Sequence, residues 1–505
     1  MTEPDANRDV AALAKGGRTN FFGFLLRLAA RIPFLFIAGR AYGPDAMGRF
    51  ASAMVIIELA GQLATLGQKR GLAQRLSEDE RHPANVVADA MLLSVMIALP
   101  LSLLLYLVPG PMFPSGNFTA IDRLLPLVVI PTTLADIALA SLAFRYNVGA
   151  TVWARSVVEP VTLSAVAALM MFAAPKSGLS VAYMASIFTS SLVALVALVR
   201  AYGLPQGWQP HPGKLGRLAL LNLPLAAADM VEWGTRKLDI AILGMLASPS
   251  AVGVYWAAQQ ISSLPQKLKS SFEPVLGPVI TRNLKEKNFP AIARQVCQVG
   301  FWIVAAQAGI ALALGIPGEA VMGLIGPEFV GGTGALAFQL AAEVVAATAV
   351  VSEAALIYVA RIRNLWVSLG TIVLQGVLTG IFVLAVQAAP GWNLPWGLHF
   401  PADKVAYFQA AAVAAALMVS LAVASLVKAI ILAGILNAPV NNWRWSLLWA
   451  SVPAIAVGWL ATRFLPEWAE LAIGVPAILC TYGWVIWHKG FGPDDRVLFR
   501  KGAGN

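Results

Sequence analysis

The sequence predicts an all-α polytopic membrane protein of about 14 transmembrane helices, built as two pseudo-symmetric six-helix lobes followed by two C-terminal helices. Three observations carry this expectation. The chain is 58% hydrophobic and only 12% charged over 505 residues, with a mean hydropathy of +0.72. An ordinary soluble domain has roughly a quarter of its residues charged, so half that share cannot cover a water-facing surface of this size. The apolar residues fall in runs of membrane-spanning length, and lysine and arginine collect in alternate connecting segments. Finally, the pattern repeats itself at an offset of 205 residues.

The expected spans, in chain order, are 17–41, 48–68, 85–108, 121–144, 150–174, 179–201, 216–246, 250–280, 291–316, 333–360, 364–389, 405–430, 445–464 and 467–488. A spanning helix needs about 20 predominantly apolar residues. Val405 to Val427 is uncharged and bracketed by Lys404 and Lys428, and Leu179 to Val199 is also uncharged. Trp445 to Thr462 lies between Arg444 and Arg463. The seventh and eighth spans are long enough to project from a bilayer. The first apolar run is too long and too rich in arginine for a cleaved signal peptide. Trp392, Trp396, Trp443, Trp445 and Trp468 fall near helix ends, where tryptophan anchors a helix to the interface.

With the N-terminus inside, 26 lysines and arginines fall on inner segments and 6 on outer ones. That asymmetry places both termini in the cytoplasm and requires an even number of spans. It also accounts for the net charge of +10 without a nucleic-acid partner. The expected plan is then a tail over 1–16, an N-lobe over 17–203 and a cytoplasmic linker over 204–215. A C-lobe over 216–437, two further helices within 438–490 and a tail over 491–505 complete it.

The repeat aligns residues 37–50 with 242–255. Ile37, Gly39, Pro44, Ala46 and Gly48 match Ile242, Gly244, Pro249, Ala251 and Gly253, and Phe50 aligns with Tyr255. Each copy is the tight turn after the first helix of a lobe. Proline fixes φ there and glycine permits unusual φ. An even number of spans separates the copies, so the lobes have the same orientation, related by an axis along the membrane normal.

The stretch from Arg40 to Phe50, with Tyr42-Gly43-Pro44-Asp45-Ala46-Met47-Gly48 at its centre, resembles the turn after the first helix of polysaccharide transporters. These are the Wzx-type oligosaccharide flippases of the multidrug/oligosaccharidyl-lipid/polysaccharide (MOP) superfamily. Leu238 to Gly244 with Ala251 to Ala258 is similar to that family's seventh-to-eighth helix region, and Leu324 to Phe329 to its outer element before helix ten. The resemblance covers roughly residues 17 to 440. It implies the MOP flippase fold, alternating access, and an undecaprenyl-diphosphate-linked oligosaccharide as cargo, made for exopolysaccharide, capsule or O-antigen. It also implies a bacterial inner-membrane location, with polysaccharide polymerase machinery as a partner. The two extra C-terminal helices depart from a twelve-span pattern and keep a lipid II flippase open, along with a groove for the lipid tail.

Charges at membrane depth are the candidate functional residues. Arg27 and Arg31 are spaced i,i+4 and share a helix face. Arg31 precedes Gly43 by 12 residues, which at 1.5 Å per residue is ~18 Å and mid-bilayer. At the repeat offset Arg31 aligns with Arg236. Arginine stays charged and offers a planar fork of donors to phosphate, so Arg27, Arg31 and Arg236 are expected to bind the phosphate of a lipid carrier. The competing reading pairs them internally, since Glu232 and Arg236 are themselves i,i+4. Glu58, Glu159, Glu232 and Asp239 are expected as coupling or pairing carboxylates. Lys69, Arg70, Lys267 and Lys269 are expected either to attract anionic headgroups or simply to orient the chain.

The sequence has no HExxH, cysteine-pair or Walker-type motif, so neither a metal, a cofactor nor direct use of ATP is expected. Cys297 and Cys480 lie far apart in apolar runs and do not form a disulfide framework. A membrane glycosyltransferase or polymerase would need sizeable external loops bearing acid, base or histidine. Here the longest outer loops, near 109–120 and 390–404, hold little chemistry. A small-molecule exporter would favour an acidic or apolar cavity, against the basic Arg27, Arg31 and Arg236 set.

Overall fold

The computed structural model describes residues 29–270, 283, 284, 286, 288–389, 401–441, 443–492 and 495. Among these residues every regular element is helical. Eleven helical stretches are long and apolar enough to cross a membrane. The first of them, Ala29–Glu78, runs for 50 residues and contains residues 29–41 of the first expected span and all of the second; residues 17–28 lie outside the described residues. The chain divides into two compact units, Met1–Gly253 and Val254–Asn505.

The first unit opens with α1 (29–37), which continues through a wide π-type turn, Ala38–Tyr42. Gly43 follows at a positive φ of 76° and breaks the helix. α2 (Gly43–Thr65) carries Pro44 in its first turn, where the missing N–H would be unpaired anyway. Leu66 and Gly67, both left-handed, then turn the chain into α3 (Gln68–Glu78). The sequence predicts only a cytoplasmic connection here, between the expected spans 48–68 and 85–108. Next come α4 (Pro83–Leu107), α5 (Val129–Phe144), α6 (Glu159–Ala173), α7 (Gly178–Tyr202) and α8 (Pro212–Leu246). α6 is entered through a second π-type segment, Val152–Val158.

Small side chains set the packing of this unit. Ala84, Ala90, Ala135, Ala138, Ala154 and Ala194 are all buried in one cluster, filled out by Leu72, Val87, Ile137 and Leu142. Small residues let helix backbones approach closely, and in lipid such packing stands in for the hydrophobic drive. Large apolar groups point the other way: Leu103, Leu104 and Leu107 of α4 and Phe172 of α6 are exposed, as lipid-facing side chains are. Tyr202 on α7 donates to the Ser141 carbonyl of α5 at 2.6 Å, while the Arg145 guanidinium lies 4.0 Å from its ring centroid.

The two segments aligned by the repeat meet each other inside this unit. A Cβ added at Gly48 would lie 1.6 Å from the Pro249 carbonyl oxygen, and one added at Gly253 would lie 1.9 Å from that of Pro44. Pro44 corresponds to Pro249 and Gly48 to Gly253, so each contact is the image of the other. That reciprocity is the signature of a local two-fold contact. No side chain larger than hydrogen fits at either position.

The second unit takes most of α9 (Pro249–Ser270), then α10 (Phe289–Gly315), α11 (Gly318–Ile325), α12 (Thr333–Val359) and α13 (Arg361–Ala388). α14 (Val405–Leu436), α15 (Ser446–Phe464) and α16 (Val475–Val485) complete it. α14 packs against both α12 and α13. The last two helices pack on α10, with Phe301, Ile303, Leu447, Ala450, Ile478, Tyr482 and Ile486 in one core. Asp495 ties the end of this pair down. It accepts from Arg444 Nη1 at 2.7 Å and from Trp302 Nε1 at 2.9 Å, and the Arg444 guanidinium lies 4.0 Å from the Phe301 ring.

α8 and α9 are absent from the simple spanning stretches, although both were expected to span. Their composition explains it: Asp229, Glu232, Arg236, Lys237 and Asp239 interrupt α8, and Gln259 and Gln260 interrupt α9. Helices with such groups at membrane depth face protein or water rather than lipid.

Candidate functional site

The expected phosphate-binding arginines fare differently in the structure. Arg27 lies outside the described residues. Arg31 is exposed on α1, one turn before Phe34. Phe34 is buried and fixes the helix in place: its ring is 6.2 Å from Phe50 of α2, which is 5.6 Å from Tyr183 of α7, both edge-on. The Ala30 carbonyl accepts from Ser164 Oγ of α6 at 3.5 Å. α1 is therefore seated against α2 and α6, with Arg31 exposed on it.

The first unit also carries a series of ion pairs. Asp136 of α5 receives Lys69 Nζ at 2.7 Å and Arg155 Nη2 at 2.5 Å. Arg155 also reaches Glu159 through Nη1 at 2.8 Å. Lys69 has a further acceptor in Gln62 Oε1, at 3.2 Å. Two cations and two carboxylates thus neutralise one another, with Arg155 only 16% exposed. A partly buried carboxylate needs such partners, because desolvation of a lone charge is costly.

On α8 the pattern continues. Arg70 Nε meets Asp229 at 2.7 Å and its Nη2 meets Glu232 at 2.7 Å. Arg236 shares Glu232 at 3.1 Å, and Lys237 meets Glu58 of α2 at 3.3 Å. These contacts join α8 to α2 and α3. The Gly67 turn lies so close to α8 that a Cβ there would sit 2.5 Å from Leu225 Cβ.

The carboxylates Glu58, Glu159 and Glu232 are accordingly pairing groups in this structure, and Asp239 is buried on α8. Lys69 and Arg70, expected either to attract headgroups or to orient the chain, are ion-paired to Asp136 and to Asp229 and Glu232. Lys267 and Lys269 fall in α9, but their side chains lie outside the described residues. Arg236, the expected symmetry mate of Arg31, is half exposed and engaged by Glu232. Arg31 differs from all of these: among the described residues it has no carboxylate within ion-pair distance.

Arg155, one of the 26 lysines and arginines assigned to inner segments, is a hub that the sequence analysis does not single out. The i,i+4 spacing to Glu159 was the available clue. Its link to Asp136, 19 residues away, is tertiary and has no local signature.

A family model described as "Polysaccharide biosynthesis protein" matches residues 37–304. No curated protein matches the sequence. Among solved structures, the chain is similar to the lipid II flippase MurJ in an inward closed conformation. The TM-score is 0.64 at 11% identity, over 96% of this chain and 99% of that one. It is also similar to an inward-facing multidrug resistance MATE family transporter of the MOP superfamily. There the TM-score is 0.62 at 14% identity, over 81% of this chain and 94% of the other. At such identities the likeness shows a shared fold, the MOP fold expected from the turn and glycine motifs.

Proposed function

Because this chain belongs to the polysaccharide biosynthesis protein family and has the MOP fold, we propose that it is a flippase for a lipid-linked oligosaccharide. The cargo in this reading is an undecaprenyl-diphosphate-linked saccharide destined for a surface polysaccharide. The site is a bacterial inner membrane, with both termini in the cytoplasm, and movement is by alternating access.

The observation that carries the reading is Arg31. A guanidinium on α1 with no carboxylate partner among the described residues is expensive in hydrocarbon. Water or an anion offsets that cost, and a diphosphate presents a stable anion to its planar donors. The surrounding network assists by being neutral: Lys69 and Arg155 are balanced by Asp136 and Glu159, so the net positive charge offered to cargo is that of Arg31. In this reading Arg27, which lies outside the described residues, is the second donor that its i,i+4 spacing to Arg31 in the sequence leads one to expect. Arg236 joins only by releasing Glu232, which Arg70 also holds.

The test is complementation of export in a strain lacking the protein. Arg31→Lys should restore export in part, and Arg31→Ala should abolish most of it, with protein inserted at normal levels. Normal export by Arg31→Ala would refute the phosphate role.

A further inference from the structure

The second unit contains a basic cleft whose residues are not among those proposed above to bind cargo. The chain leaves α12 at Val359, passes through Ala360 and enters α13 at Arg361. Val359, Ala360, Arg361, Ile362 and Arg363 line an open cleft of about 500 Å³, with Ile435 from the last turns of α14 on its other wall. Arg361 and Arg363 are both exposed, and among the described residues neither has a carboxylate within ion-pair distance. The lysine and arginine distribution assigns this end of the helices to the cytoplasm.

The placement of these arginines is electrostatically adverse. They occupy the first turn of a 28-residue helix that has no acidic residue in that turn and no side-chain cap. Cations at a helix N-terminus face the positive end of the macrodipole and the unpaired amides. An anion in the cleft relieves both. The rest of the lining is apolar, and alongside it Ile362 is 72% and Trp366 69% exposed. An anionic group bonded to hydrocarbon satisfies both halves of the cleft, and tryptophan at that level is an interfacial anchor.

We propose that the α12–α13 junction binds the phosphate headgroup of an anionic phospholipid of the inner leaflet. Arg361 and Arg363 hold the phosphate, while Ile362, Ile435 and Trp366 lie along the acyl chains. The site is separate from Arg31 and stands or falls independently of the saccharide reading.

The test uses the full-length protein, delipidated in detergent and titrated with phosphatidylglycerol or phosphatidylcholine, with bound lipids counted by native mass spectrometry. Each basic residue at a membrane surface contributes about a fivefold preference for anionic lipid. The wild type should therefore bind one phosphatidylglycerol at least several-fold more tightly than phosphatidylcholine. The pair R361A and R363A should remove that preference, and the pair R361K and R363K should keep most of it, which separates lost charge from lost folding. Equal binding of the two lipids by the wild type would overturn the proposal. So would an unchanged preference in the alanine pair. Displacement of the lipid by inorganic phosphate at equal concentration would show a site for free anion instead, and would equally overturn it.

Discussion

Gly48→Ala is a one-carbon change with a large expected effect. The new Cβ would lie 1.6 Å from the Pro249 carbonyl oxygen and 2.8 Å from the Gly253 nitrogen. Both obstacles are backbone, so no rotamer change relieves them, and the two helix starts must separate. Overpacking of a closed contact costs about 1–3 kcal/mol, and this overlap belongs at the upper end. For a unit of this size that corresponds to a fall in Tm of roughly 5–10 °C. Gly253→Ala meets the Pro44 oxygen at 1.9 Å and should cost a similar amount. Because both substitutions open the same crossing, the double variant should cost clearly less than the sum of the singles. Thermal unfolding of detergent-purified protein, followed by size-exclusion or tryptophan emission, measures all three. Wild-type Tm in either single variant would refute the close crossing, and strict additivity would refute its reciprocity.

Further expectations concern the charged groups and the topology. Asp136→Ala removes the shared acceptor of Lys69 and Arg155, and breaking such a partly buried set costs about 3 kcal/mol; a Tm equal to wild type would show the network to be incidental. At the α3–α4 junction, the hydrogen bond from Arg81 holds the Asp79 carboxyl below its ordinary range. A depressed carboxylate stabilises the fold above its unfolded pKa, about 3.9, and that stabilisation is lost as pH falls through the folded value. Asp79→Asn should therefore flatten the acid limb of a stability-versus-pH curve and leave the curve unchanged in slope above about pH 6. A reporter fused after Asn441 should give the cytoplasmic signal, and a periplasmic signal there would overturn the orientation.

Much of the helical plan was legible because lipid imposes a length on apolar runs. The expected 333–360 and 445–464 correspond to Thr333–Val359 and Ser446–Phe464. α3 escaped notice because it is an eleven-residue amphipathic helix rich in charge, which reads as a loop when only apolar length is counted. Arg31 was legible from its depth alone. That no carboxylate among the described residues pairs with it was not, since that depends on which carboxylates the fold assigns elsewhere. Arg70 reaches Glu232 across 162 residues, and no local pattern encodes that pairing. The repeat identified Gly48 and Gly253 as equivalent but gave no indication that they would touch.

The central claim is that this chain moves a diphosphate-linked saccharide from the inner to the outer leaflet. Its most direct measurement is the sidedness of lipid-linked saccharide in a strain deleted for the protein, read by access of an impermeant sugar-modifying reagent to spheroplasts. The account predicts accumulation on the inner leaflet, reversed by the wild type and not by Arg31→Ala. Normal outer-leaflet delivery in the deletion strain, with the surface polysaccharide intact, would contradict it.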